Sequence, residues 1–388
     1  MASRRRLRHL PAQAYQEEGG RLVQGGEPLQ ALPYLVAARR EGGAGPALRM
    51  LFRSAARNLP IARLVHLAPV SSAAFSPAGG LIVTTSRTTA RIWDVATGQP
   101  VTPVLAHGDR VNSAAFSRDG RRIVTASRDG TVRVWDAVTG ELVTPPLVHA
   151  GIVNSAAFCA SGTRIVTASD DRTAGVWDAA TGTLMTPWLT HDSAAFSPDG
   201  SRLVTAGSDK TASVWDATTG RLVTSLPHEG AVHSAVFSPD ARRIVTASSD
   251  RTAGVWDAAT GARVTPRIEH DGPVNRAVFS SDGRRIATAS SDGTAVVRDA
   301  ATGKPLTLPL AHELRVNCAA FSPDGGRIVT AGWDHTARIW DASIDPRTLA
   351  EWSTLVEQHC PYVLVNSVLL PRATLAGPAS AATAPAAA

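Results

Sequence analysis

Lysine is almost absent from this 388-residue chain: Lys210 and Lys304 stand alone among 39 basic residues, so arginine carries nearly all the positive charge. Cysteine is scarce too, and Cys159, Cys318 and Cys360 are too few and too scattered for a disulfide framework or a zinc site. No uninterrupted apolar stretch approaches the ~18 residues of a membrane span. The opening MASRRRLRHL is basic but leads into PAQAYQEEGG, without the apolar core or small-residue cleavage site of a secretory signal. A cytoplasmic location is therefore expected. Catalytic signatures are missing as well: there is no Gly-rich phosphate loop followed by Lys-Ser/Thr, no H-E-x-x-H, no G-x-S-x-G and no kinase set. The chain is expected to be no enzyme and to need no cofactor and no metal. The net charge of +6 favours acidic partners without naming one.

Aromatic residues are few, only 5% of the chain, but they are not scattered. Phe75, Phe116, Phe158, Phe196, Phe237, Phe279 and Phe321 mark one recurring position, and Trp93, Trp135, Trp177, Trp215, Trp256 and Trp340 mark another. Arg298 fills the one missing Trp slot. Steps between the Trp-equivalent positions are 42, 42, 38, 41, 42 and 42 residues, the period of a four-stranded propeller blade. One unit reads as four strands: VNSAAFS and RRIVTAS alternate at period two around Ser117-Arg118-Asp119-Gly120, TVRVWD follows Arg128-Asp129-Gly130, and ELVTPPL follows Val138-Thr139-Gly140. Such a sheet is apolar on both faces, so neighbours must stack around an axis.

With Trp-Asp at 93–94, 135–136, 177–178, 215–216, 256–257 and 340–341, the chain resembles a WD40-repeat protein over about residues 61–342. The resemblance implies an all-β fold, a seven-bladed WD40 β-propeller. It also implies that the ring closes by lending an N-terminal strand, here Ile61-Ala62-Arg63-Leu64-Val65, to the last blade. The flanks are read separately. Residues 1–11 form a basic arm, and 12–58 a helical pair in which Tyr15, Gly19, Gly26, Ala31 and Ala38 resemble a single tetratricopeptide unit. That pair is expected either to pack on the propeller edge or to be a truncated remnant. A C-terminal helix is expected over 345–360, opened by Asp345-Pro346, with Leu349, Trp352 and Leu355 or Val356 on one face. The run Tyr362 to Leu370 is open to several readings, and the Ala/Pro-rich 372–388 is expected to be disordered.

The resemblance further implies a buried chain in which the indole N–H donates to a Thr hydroxyl, the hydroxyl to His, and His to an Asp carboxylate. Satisfaction of buried polar groups asks for the same. The sets are His107, Thr125, Asp129, Trp135; His149, Thr167, Asp171, Trp177; His191, Thr205, Asp209, Trp215; His228, Thr246, Asp250, Trp256; and His312, Thr330, Asp334, Trp340. A metal ring of these histidines is disfavoured, because one per blade separates them by far more than two bonds of about 2.0–2.1 Å. Three units depart from the pattern. The first lacks the Asp that would serve His66, Thr84 and Trp93; the fourth is four residues short after His191-Asp192; and Arg298 leaves His270, Thr288 and Asp292 without an indole. Repeat drift and a local groove for a partner both account for these.

In WD40 proteins one rim is formed by the residues three and five beyond the repeat His and by the residue before the turn Asp. Carried over singly, these positions give candidate partner-binding residues Arg87, Arg110, Asn112, Arg128, Asn154, His233, Asn275, Arg315, Asn317 and Trp333. Against Asp170 the arginines make this rim basic, and Trp and Arg are enriched at interface hot spots. Either the rim binds a partner, or its arginines cap strand ends and Trp333 packs on a neighbour. The opposite rim, with Arg121-Arg122, Arg242-Arg243 and Arg284-Arg285 beside Ser-Pro-Asp-Gly-type turns, reads as hairpin chemistry and solvation. The function expected is a non-catalytic scaffold for a protein or peptide partner, acidic in character, with no membrane role. The alternative is polyanion or nucleic-acid binding through this rim and Arg4, Arg5, Arg6 and Arg8. Repeats ending in WDAATG and TPP resemble bacterial WD40 arrays that accompany serine/threonine kinases, which carries over only a signalling context because no kinase segment is present.

Overall fold

A computed structural model describes residues 12–24, 28–42, 48, 51, 60–171, 173–185, 193–342, 356, 360, 362–365 and 368–371. The chain divides into two compact units, one of residues 62–343 and one drawn from 1–61 and 344–388.

The larger unit is a ring of seven antiparallel sheets. The second blade shows the pattern: Val111–Phe116, Arg122–Ser127, Thr131–Asp136 and Leu147–Val148 run from the innermost strand outward. Innermost strands begin at Val70, Val111, Val153, Ser193, Val232, Val274 and Val316; each neighbours the next, and the last neighbours the first, so the ring is closed. Closure uses the segment expected from the sequence. Ala62–Val65 lies antiparallel on Thr336–Asp341, with Ala62 opposite Ile339 and Leu64 opposite Ala337. In the third blade three strands and a Trp177–Leu184 bridge fall among the described residues.

Stacking supplies the core that one blade lacks. Val83, Ala90, Ile92 and Leu105 of the first blade form one cluster with Ala114, Ile123 and Trp135 of the second. The second strand of each blade is buried on both faces, as Arg122–Ser127 shows with five consecutive buried residues after Arg122. A fully buried Ile or Val is worth about 1.5–3 kcal/mol. Each interface thus contributes several such terms, and none is available to an isolated repeat.

The smaller unit contains α1 (Ala12–Gln24) and α2 (Pro28–Arg40). They approach closely at Gly19, where an added Cβ would lie 2.5 Å from Leu35 Cδ2. A lone helical hairpin cannot cover its own apolar face, and here the other end of the chain helps: Tyr15, Leu32, Leu35 and Leu48 share a core with Val356 and Cys360. Of the expected 345–360 helix only those two residues fall among the described ones, joined by a helical bond from Cys360 N–H to Val356 O of 3.0 Å. Residues 1–11 and 372–388 lie outside the described residues. The apolar run left open in the sequence is an antiparallel pair, Tyr362–Val365 on Val368–Pro371.

Candidate functional site at the basic rim

The rim is built by a recurring irregularity. In six blades the innermost strand carries a β-bulge at its second residue, occupied by Ser71, Asn112, Asn154, His233, Asn275 and Asn317. A bulge removes a residue from the ladder and re-aims its side chain, which is why this position is the one that varies. A second tie brings the other rim positions together. The backbone N–H of Arg128 donates to Arg110 O at 2.8 Å, that of Trp333 to Arg315 O at 3.0 Å, and the third, fifth and sixth blades repeat the bond. The shortened fourth unit starts its strand at Ser193 without a bulge and is left out of this pattern.

Three of the candidates converge: Arg110, Arg315 and Trp333. The Arg315 guanidinium lies over the Trp333 ring with Cζ 3.5 Å from its centroid, and Arg110 flanks the same ring at 5.8 Å. Arg110 Nε and Nη2 donate to Ser71 Oγ at 3.1 and 3.0 Å, so the cluster spans the seventh, first and second blades. Burial first, and then the like charges of Arg128 and Arg315, push the Arg110 pKa below its ordinary value. Arg87 joins through its carbonyl, which accepts Val111 N–H at 2.7 Å. Its φ of 50° places it in the left-handed region, a result of the short Ser86–Thr89 hairpin in which the first unit lost its Asp.

The asparagines are differently employed. The Nδ2 of Asn112, Asn275 and Asn317 donates to Val153, Val316 and Val70 O at 2.9, 2.7 and 2.8 Å, each latching its blade to the next. Asn154 Nδ2 donates to Asp170 Oδ1 at 2.5 Å, and His233 is exposed.

The Trp–Thr–His–Asp chains form in the second, third, fifth and seventh blades. Trp135 Nε1 donates to Thr125 Oγ1 at 2.8 Å, Thr125 Oγ1 lies 2.7 Å from His107 Nε2, and His107 Nδ1 lies 3.0 Å from Asp129 Oδ2. Corresponding distances are 2.8, 2.8 and 3.2 Å for Trp177, Thr167, His149 and Asp171, and 2.7, 2.7 and 2.9 Å for Trp256, Thr246, His228 and Asp250. For Trp340, Thr330, His312 and Asp334 they are 2.7, 2.6 and 3.0 Å. Burial favours the neutral imidazole, and a carboxylate can only accept, so Nδ1 carries the ring proton and donates it to Asp while Nε2 accepts from the Thr hydroxyl. Burial lowers the His107 pKa against the opposing pull of Asp129. Burial would raise Asp129, but hydrogen bonds from Thr131, from Gly108 N–H and from His107 hold it well below the carboxylate range.

The departures fall where the sequence placed them. Trp215 donates to Thr205 at 2.7 Å and Asp209 accepts from Thr211 at 3.0 Å, while His191 lies outside the described residues. In the sixth blade His270 keeps Thr288 at 2.8 Å and Asp292 at 3.0 Å, and Arg298 turns to Glu269 O at 3.1 Å. In the first, Trp93 donates to Thr84 at 2.7 Å, but His66 Nε2 is buried with no hydrogen-bond partner. Burial and the charge of Arg91 depress the His66 pKa to about 4.

One repeated device was misread from the sequence as solvation. The Arg that opens the second strand of a blade, the second of the pair in Arg121-Arg122, Arg242-Arg243 and Arg284-Arg285, is an inter-blade rivet. Arg202 lies 5.3 Å from the Phe237 ring centroid and donates to Ala241 and Ala258 O at 2.6 and 3.3 Å. Arg122, Arg164, Arg243 and Arg285 sit the same way on Phe158, Phe196, Phe279 and Phe321. The first blade has Leu81 instead, packed into the cluster that holds Ile123 and Phe116. The signal available was the pairing of a fixed Arg with a fixed Phe one repeat ahead.

Seven radially stacked sheets, a strand-exchange closure and the Trp–Thr–His–Asp chains define a WD40-repeat β-propeller, and the chain belongs to that family. Residues 152–351 match the family model described as the IFT122 first beta-propeller, and residues 59–94 and 98–136 match the WD domain, G-beta repeat. Coronin-7 of Homo sapiens and Coronin-7 of Pongo abelii are each 44% identical to this chain over 62 residues, as is that of Mus musculus. The matched stretch is 16% of this chain and only 7% of the length of those proteins. WD40 propellers generally mediate protein–protein interaction and are typically non-catalytic.

Proposed function

We propose that this chain is a non-catalytic interaction scaffold that presents its basic rim to a protein or peptide partner of acidic character. The observation that carries the reading is the convergence of Arg110 and Arg315 on Trp333, with the charge of Arg128 acting on Arg110 and no ion pair from these three arginines to a carboxylate among the described residues. The rivets spend their guanidinium N–H groups on backbone carbonyls of the next blade, as Arg202 does, whereas Arg110 is held by Ser71 Oγ and Arg315 by the Trp333 ring on one surface. Polyanion binding is less well supported, because Arg315 covers the face of Trp333 that a base would stack on. The signalling setting rests on the likeness of the repeats to bacterial arrays beside kinases.

The test is co-purification from the native host with wild-type chain and with Arg110, Arg128, Arg315 and Trp333 changed together to Ala. Partners lost with the variant support the rim. A partner retained equally by both removes the rim from the account and leaves a scaffold that binds elsewhere.

A further inference from the structure

Arg276 stands on the innermost strand of the sixth blade, Val274–Phe279, immediately after the bulge at Asn275. The same position, three residues before the repeat Phe, holds Ser72, Ser113, Ser155, Ser193, Ser234 and Cys318 in the other six blades. What those small side chains touch locates the place. Ser113 Oγ accepts the backbone N–H of Ala156 at 3.3 Å, Ser155 Oγ accepts that of Ala194 at 3.4 Å, and Cys318 Sγ donates to Ala73 O at 3.5 Å. Each partner lies on the innermost strand of the next blade. A backbone N–H that donates to another blade is not spent in its own ladder, so it sits on the free edge of its strand, which faces the axis of the ring. Arg276 is half-buried at this place and makes none of these bonds. Among the described residues its guanidinium has no hydrogen bond and no ion pair, and its Nε is buried without a partner.

A guanidinium is too large for the place of a Ser hydroxyl and must continue past it, into the opening around the axis. Its surroundings there are polar but carry no compensating charge. The seven innermost strands read VSSAAF, VNSAAF, VNSAAF, SAAF, VHSAVF, VNRAVF and VNCAAF, with no Asp, Glu or Lys and no second Arg. A half-buried cation without a partner is costly to keep, and an anion that reaches it gains a charge-assisted bond away from bulk water. Charge count then selects the anion. One planar guanidinium matches one carboxylate, whose two oxygens take its paired N–H groups. A phosphomonoester, at roughly −1.5 to −2, would enter with its second charge unmatched. We infer that Arg276 anchors a carboxylate at the axis of the ring, brought by an acidic side chain of a partner protein or by a free small carboxylate. The first source rests on the acidic-partner reading above, and the second does not.

The test compares the full chain with Arg276→Ser, which gives the sixth blade the side chain of its sisters and is expected to melt no lower than the wild type. Fluorescence anisotropy is read with labelled peptide pools of neutral flanking sequence and a fixed central Glu or Gln. Thermal midpoints are read in sodium acetate against sodium chloride of equal ionic strength. The wild type is expected to prefer the Glu pool about tenfold, and Arg276→Ser to show no preference. Acetate raising the midpoint of the wild type by about 2 °C but not that of the variant, with no preference between the pools, supports the anchor and makes its ligand a free carboxylate. No difference between wild type and variant in either arm would overturn the inference, as would inorganic phosphate raising the wild-type midpoint more than acetate does. A Glu preference that survives Arg276→Ser but is lost when Arg110, Arg315 and Trp333 are changed to Ala belongs to the rim and sinks the axial anchor alone. A co-purified partner indifferent to the four-residue Ala variant but lost with Arg276→Ser sinks the rim and leaves the anchor.

Discussion

Two Asp→Asn substitutions in the second blade, identical in chemistry and seven residues apart, should behave oppositely. Asp129 uses both oxygens fully: Oδ2 accepts from His107 Nδ1 at 3.0 Å and Gly108 N–H at 2.9 Å, and Oδ1 accepts from Thr131 N–H at 2.9 Å and Thr131 Oγ1 at 2.6 Å. In Asp129→Asn the amide nitrogen must replace one of these oxygens. His107 can switch tautomer and Thr131 can rotate its hydroxyl, but a backbone N–H, either that of Gly108 or that of Thr131, is left facing another donor. One orphaned donor costs about 1–3 kcal/mol, and the charge-assisted bonds on the other oxygen weaken as well. A loss of about 2 kcal/mol is expected, or roughly 3–4 °C in thermal midpoint for a propeller of this size. Asp136 instead accepts Val138 and Thr139 N–H on Oδ1 alone, at 2.9 and 2.8 Å. Its Asn variant keeps both bonds with the amide nitrogen toward solvent and should melt with the wild type. Scanning calorimetry of both variants decides the matter. Equal midpoints for the two, high or low, would refute the claim that the buried chain of donors and acceptors, rather than Asp at a repeat position, is what stabilises the blade.

Three further outcomes are expected. Arg202→Met removes two backbone bonds and a stacked cation and should cost about 1.5–3 kcal/mol, whereas Arg327→Met, exposed at the seventh-to-first junction, should leave the urea midpoint unchanged. His66→Leu should be neutral or stabilising, because it removes an unpartnered buried nitrogen, while His107→Leu orphans Thr125 and Asp129 and should destabilise. The folded pKa of His66, about 4, lies below the ordinary 6.5, so the unfolded chain binds the extra proton between those values. Proton uptake at His66 by the unfolded chain therefore lowers stability as the pH falls from 6.5 toward 4, and urea titrations of His66→Leu across that window should show a shallower decline than the wild type. Ala241 holds φ at 58° where Gly120, Gly200, Gly283 and Gly325 occupy the same turn position. Ala241→Gly should raise the thermal midpoint, the relief of about 1–2 kcal/mol of left-handed strain exceeding the roughly 0.5–1 kcal/mol entropy of a freer unfolded chain.

Blade number, closing strand and the Trp–Thr–His–Asp chains were legible because each lies within one repeat or at a fixed spacing, so a single unit's periodicity and its need to satisfy buried donors were enough. What joins one blade to the next was not. Arg202 meets Phe237 from the following unit, and Asn112 meets the Val153 carbonyl; each looks like a solvated polar residue until the stacking register of the ring is known. The bulge that re-aims the rim positions leaves no composition signature. Convergence of Arg110 on Trp333 could not be read either, since more than two hundred residues separate them in sequence and only ring closure brings the seventh blade beside the first, where Ser71 supplies the bridge. The helical pair read as incomplete because its covering residues, Val356 and Cys360, arrive some three hundred positions later.

The most direct test of the rim is site-specific photo-crosslinking in the native host, with a photoreactive amino acid placed at Arg128 on the basic rim and, separately, at Arg242 on the opposite one. A partner captured from Arg128 and absent from Arg242 is the predicted result. Capture from Arg242 with none from Arg128 would contradict the account and move the interaction to the other side of the ring.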